Sequence, residues 1–173
     1  MDGYVARCMR CNPGSAWHCP QAMNWGNTRP ELAQDRERYL RESREPTENE
    51  YLSVALLYAS HGVKGFIFYS LPNLFSGPVP ELYEKRWDIF KSIGRTMSGL
   101  EPFIMGGKPI IEVPHTDVKG RTRLVRLESE DGRKVILAIG LKRDNECAFV
   151  GLDGKPRVFR GKDFSCAIYH EGF

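Results

Sequence analysis

Residues 61–70 read His61-Gly62-Val63-Lys64-Gly65-Phe66-Ile67-Phe68-Tyr69-Ser70, and the fold expectation turns on them. Gly62 suits the left-handed residue that ends a helix, and two residues later begins a run of aromatic and β-branched side chains without polar alternation. Such a run predicts a strand covered on both faces in a parallel sheet. The flanks agree. Just upstream, Pro46-Thr47-Glu48-Asn49-Glu50 is a capping box, with Thr47 able to accept from the third helical amide and Glu50 able to reach back. Tyr51, Val54, Ala55, Tyr58 and Ala59 then mark one apolar helix face. Downstream, a loop rich in proline and glycine (residues 71–80) leads to a helix with Pro80 in its first turn and a stripe of Tyr83, Trp87, Phe90, Gly94 and Met97 running to Leu100.

Further upstream, Trp17 to Ala22 follows the breaker Asn12-Pro13-Gly14 and reads as a short strand, with a loop beginning near Asn24-Trp25-Gly26. The stretch 27–45 alternates basic and acidic residues and reads as a solvated loop or surface helix. Strand, helix, strand, helix is the repeating unit of a parallel α/β protein. The pattern changes at Gly106-Gly107. Residues 108–113, 121–128, 134–141, 147–152, 157–160 and 164–169 read as strands, with Asp131-Gly132 and Asp153-Gly154 as hairpin turns. Arg121 to Arg126 resembles an edge strand guarded by cations. The expected organisation is therefore two domains, residues 1–106 in α/β and residues 107–173 as a small antiparallel β-sandwich.

Composition narrows the function. The chain has 173 residues, 41% hydrophobic and 27% charged, which suits a folded domain with a core. Its net charge of +3 comes from 12 basic and 12 acidic side chains up to residue 105 and 13 against 10 thereafter. So small and interspersed an excess argues against nucleic acid as a partner. No apolar run approaches the ~18 residues that span a bilayer, and the first residues lack the apolar stretch of a signal peptide, so no membrane partner is expected. Five cysteines favour free thiols over a disulfide framework. Cys8 and Cys11, followed by His18 and Cys19, have half of a zinc spacing, but adjacent ligands are awkward and no second CxxC exists. No phosphate loop, dinucleotide fingerprint, G-x-S-x-G elbow or HExxH is present, and neither metal nor cofactor is expected.

Two strand and helix pairs do not bury a parallel sheet, whereas a (β/α)8 barrel of about 250 residues does. The run from Gly14 to Gly106 resembles the end of such a barrel in glycoside hydrolases of the β-galactosidase kind. The words that carry the resemblance are Trp17-His18-Cys19-Pro20-Gln21-Ala22-Met23-Asn24-Trp25, Arg44 to Tyr51, His61 to Ser70, and Trp87 to Leu100. It implies the last two βα units of a TIM barrel followed by a β domain, in a part of an enzyme that hydrolyses O-glycosidic bonds of a carbohydrate substrate. An oligomer that completes the barrel sheet is a further expectation.

Retaining glycosidases use two carboxyl groups about 5–5.5 Å apart. In the resembling families these follow strands four and seven; the first would lie before Met1, and the second position holds Gln21, which cannot be a carboxylate nucleophile. No catalytic residue is therefore assigned, and the 173-residue chain is expected to be inactive. Gln21, Asn24, Trp25 and Tyr69 supply amides and flat rings at the ends of the two expected strands, and are the candidates for sugar contact. For Trp25 and Tyr69, packing as core stands beside ligand contact. Asn73 and Phe75 are weaker candidates, and Glu31 and Asp35 read as surface charges. The rival reading is a non-catalytic carbohydrate-binding or interaction protein.

Overall fold

The structure, a computed structural model, describes residues 25–67 and 71–171 together with Arg7, Arg10, Trp17 and His18. In chain order the elements are β1 (Trp17–His18), a 3-10 turn (Trp25–Thr28), α1 (Arg36–Glu42), α2 (Glu48–Ala59), β2 (Gly65–Phe66), α3 (Leu71–Leu74) and α4 (Glu81–Met105). Seven strands follow: β3 (Ile111–Glu112), β4 (His115–Lys119), β5 (Thr122–Glu128), β6 (Lys134–Gly140), β7 (Asp144–Val150), β8 (Pro156–Lys162) and β9 (Cys166–His170).

The strands after α4 build two antiparallel sheets, one in the order β3-β5-β6-β9 and one in the order β4-β7-β8. Local chemistry sets their registers. The β5–β6 hairpin closes with the Ser129 amide donating to the Arg133 carbonyl at 3.0 Å around Gly132 at φ +87°. The β7–β8 hairpin closes the same way between Gly151 and Lys155 at 2.9 Å, with Gly154 at φ +76°. Both turn glycines occupy backbone that a side chain disfavours, so these hairpins were legible as Asp-Gly pairs.

Strand β6 is the centre of the molecule. Val135, Leu137 and Ile139 face α2 and α4 and meet Leu56, Ala59, Leu100, Phe103 and Ile104. Ile136 and Ala138 face the second sheet and meet Leu124, Cys147, Phe149 and Phe159. Helices, sheet and sheet thus form three layers, with β6 buried on both faces. Each fully buried aliphatic side chain there stabilises the fold by about 1.5–3 kcal/mol.

The expected two βα units of a TIM barrel are not what the chain forms, and the plain description is a small sheet-rich domain. Among the described residues, parallel pairing comprises two residues per strand, Trp17 with Gly65 and His18 with Phe66. Ile67, expected inside a doubly covered strand, is 59% exposed, and residues 68–70 lie outside the described residues. The physical reason is competition for the helices. The apolar faces of α2 and α4 pack on the antiparallel sheet, so the strand that they and a second layer cover is Val135–Ile139, while Ile67 stays exposed.

Other local expectations fare unevenly. The capping box forms, with Glu50 N donating to Thr47 Oγ1 at 3.2 Å and Thr47 N donating to Glu50 Oε2 at 2.8 Å, and Gly62 ends that region at φ +88°. Strand β5 is no edge: β3 and β6 flank it, and the Arg123 side chain is spent on Ser60 and Glu112. On α4, Trp87 and Gly94 of the expected core stripe are exposed, while the buried positions are Arg86, Ile93, Leu100, Phe103 and Ile104.

Candidate functional site

A densely hydrogen-bonded polar constellation lies where α4 meets the loops before α2 and after α3. Arg86 sits one turn into α4, only 5% exposed. Its guanidinium reaches three separate pieces of chain. Nε donates to Glu45 Oε2 at 3.0 Å and Nη2 to Glu45 Oε1 at 2.6 Å, a two-point pairing with the residue just before the α2 cap. Nη1 donates to the carbonyls of Leu74 at 3.2 Å and Ser76 at 2.8 Å, and Nη2 also to the Tyr39 hydroxyl at 3.1 Å. Every side of the guanidinium fork is engaged, which is the condition under which a buried charge is tolerated.

Tyr39, the single buried residue of α1, extends the cluster. Its hydroxyl lies 2.6 Å from Asn27 Oδ1 and 2.9 Å from Glu45 Oε1. Burial first, and then the neighbouring Glu45, push its phenol up to about 12. The hydroxyl therefore works as a neutral hydrogen-bond donor. Gly77 comes so close to Asn27 that a Cβ there would stand 2.7 Å from Asn27 Oδ1, and Gly77 is at φ +99°. Tyr83 ties down the same residue by donating to its carbonyl at 2.8 Å. Gly26 is similarly pressed against Ser43, where a Cβ would lie 2.5 Å from the serine Cβ.

The result is a clamp on two loops. One leaves the 3-10 turn that begins at Trp25, and the other follows Tyr69 through α3. Of the residues expected to touch sugar, Gln21, Asn24 and Tyr69 lie outside the described residues, and so does the side chain of Trp25, whose backbone opens the turn. Asn73 falls in α3 without a described side chain. Phe75 is 47% exposed, with ring centroids 6.3 Å from Tyr83 and 6.2 Å from Trp87. Sequence reasoning missed Arg86, Glu45 and Tyr39, because they are 41 and 47 residues apart and each alone reads as an ordinary surface residue.

The carboxylates are occupied in other ways. Backbone hydrogen bonding and Arg29 hold Glu31 below its usual range, Asp35 caps α1, and Arg44 holds Glu50 low. A glycosidic general acid needs the opposite, a carboxyl group raised so that it keeps its proton. Every carboxyl group with a resolved shift among the described residues is lowered. Among those residues no group of three or more His, Cys, Asp or Glu side chains is placed to hold a metal ion, and no helix is long and apolar enough to cross a membrane. Cys8, Cys11, Cys19 and the His18 side chain lie outside the described residues.

Comparison with known proteins returns nothing: no family model, no curated protein and no solved structure matches this chain. What fold and clamp define is thus a class, a small sheet-rich domain with two stapled loops.

Proposed function

We propose that this chain serves carbohydrate hydrolysis as a non-catalytic part of a glycoside hydrolase, contributing a sugar-contacting face that includes Gln21, Asn24, Trp25 and Tyr69. The observation that carries the reading is the Arg86 clamp. It binds the segment just after Asn24-Trp25 to the segment just after Tyr69, through Asn27 against Gly77 and through the carbonyls of Leu74 and Ser76. A sugar site needs such loops held in fixed relation, because ring hydroxyls are read by several groups at once.

The lowered Glu31 and Glu50 carboxyls are suited to ion pairing and hydrogen bonding and not to the role of a general acid. The β half is a poorer sugar surface. The outer face of β4-β7-β8 exposes Val118, Val150 and Val158, which offer no ring on which a sugar could stack.

The test is titration of the full chain with a panel of β-linked oligosaccharides, followed by tryptophan fluorescence and calorimetry, beside an assay with aryl glycosides. Saturable binding that is lost in Trp25→Ala and weakened in Arg86→Met, without turnover, is the expected result. Turnover that disappears on changing a carboxylate within the chain overturns the non-catalytic assignment. Absence of saturable binding across the panel overturns the sugar assignment.

A further inference from the structure

Helix α4 carries a second stripe beside its buried one. Trp87, Lys91, Gly94, Ser98, Glu101 and Met105 recur at intervals of four and three residues in alternation, which is the spacing of a seam between two helices. All six are exposed, with Trp87 at 43% and Met105 at 54%. Large apolar residues at both ends of an exposed seam are unusual for a helix face that meets only water.

The middle of the seam is as telling as its ends. A Cβ added to Gly94 would meet nothing within 4 Å, so nothing in the described fold requires a glycine there. Glycine in a helix interior is destabilising relative to alanine. Together with Ser98 it makes a notch where another backbone can approach. Glu101 has no hydrogen-bond or ion-pair partner among the described residues, and Lys91 is held only by Asp88 on its own helix, an exposed pair at 2.7 Å.

The seam is also its own complement. When a second copy of the helix is laid antiparallel across it, Trp87 falls opposite Met105, Lys91 opposite Glu101, and Gly94 opposite Ser98. Ring meets thioether, cation meets anion, and notch meets notch. We propose that this stripe is the contact between two copies of the chain in a two-fold symmetric dimer, with α4 packed antiparallel against α4. The groove of about 630 Å³ that the seam itself borders with Trp87, Gly94, Ser98, Glu101 and Met105, and whose other wall includes Phe66, then takes the end of the second copy's helix that carries Trp87. Charge complementarity selects this occupant, because a purely apolar ligand would gain nothing from Lys91 and Glu101. A contact of one helix on one helix is small beside a standard interface, so the expected dimer is weak, in the micromolar range or above.

Sedimentation equilibrium and light scattering of the full chain over about 1–500 µM test the proposal, since a small interface dissociates within that range. A reversible monomer–dimer equilibrium is expected. Lys91→Glu and Glu101→Lys should each raise the dissociation constant about tenfold or more, because each places like charges together at two symmetric points. The double reversal should return it to within about threefold of the parent, because it restores both pairs. Gly94→Leu should abolish the dimer while raising the thermal midpoint of the monomer, a pair of opposite effects that a folding defect does not produce. A chain that stays monomeric throughout overturns the proposal, including one whose seam becomes protected only within a longer polypeptide. So does a dimer indifferent to the single reversals, or a double reversal no better than either single change.

Discussion

Val135 to Ile139 in β6 and Arg86 in α4 are buried to nearly the same degree and by opposite means. The strand is 0–2% exposed and satisfied by ladder hydrogen bonds on both edges, with apolar side chains above and below. The arginine is 5% exposed and satisfied by a carboxylate, a phenol and two carbonyls. The difference is one of information. Apolar packing accepts many arrangements of similar volume, whereas a five-donor fork accepts few, so the clamp dictates where the loops lie and the strand dictates only that they are covered.

The sharpest way to break the comparison is Arg86→Met. Losing the charge-assisted hydrogen bonds to Glu45, whose side chain is 26% exposed, should cost about 1.5–3 kcal/mol, read by urea unfolding. Adding Glu45→Leu should recover part of that loss, though not all, because the Arg86 hydrogen bonds to the carbonyls of Leu74 and Ser76 are still missing. A cost near zero for the single change would place the clamp among ordinary surface pairs. On the other side, Leu137→Ala should cost about 2–5 kcal/mol by leaving a cavity between α2 and α4, and no second substitution nearby should restore it as a partner swap does.

Smaller effects sharpen the contrast at the helix start. Thr47→Ala removes one half of the capping box and should cost about 1 kcal/mol by the same measurement. Its partner Glu50 gives this end a pH dependence. The Arg44 hydrogen bonds hold the Glu50 carboxyl below its ordinary 4.5 against the opposing effect of burial, and the Thr47 amide adds to them. The folded chain thus takes up this proton less readily than the unfolded chain. The contribution is complete above pH 4.5 and is lost as pH falls through the lower folded value. Glu50→Gln should flatten the decline of the thermal midpoint in that acid window. Smallest of all, Asp163→Gly should stabilise by about 0.5–1 kcal/mol, because Asp163 is held at φ +50° in the turn before β9. A loss there would mean that the aspartate makes a contact worth more than its backbone strain.

What could be seen in the sequence was what neighbours decide among themselves. Thr47 and Glu50 are three residues apart, and the turn glycines at 132 and 154 follow an aspartate directly, so their chemistry is complete within a short window. An apolar run does mark a doubly covered strand at Val135–Ile139, whereas Ile67, in the run after Gly65, is exposed. Only the packing of α2 and α4 decides between the two. Strand β4 left no signal, because all five of its residues are exposed and its pairing with β7 is a matter of backbone alone. The face of α4 departs from its pattern for a related reason: Trp87 looks like core and is exposed, while the helix buries a charged residue, Arg86, whose partner lies 41 residues away. Of the candidate site, the sequence displayed residue types that suit a sugar and hid the clamp, whose partners lie 41 and 47 residues from Arg86.

The position of β9 bears on how the molecule comes into being. The last strand, Cys166–His170, pairs with β6, laid down some thirty residues earlier, after the chain has gone out through the second sheet and returned at Asp163-Phe164. Until Cys166–His170 has been synthesised, β6 has one bare hydrogen-bonding edge along its most apolar stretch. Completion of the core therefore waits on these residues, and a nascent chain stalled short of Cys166 would offer that edge to any strand within reach.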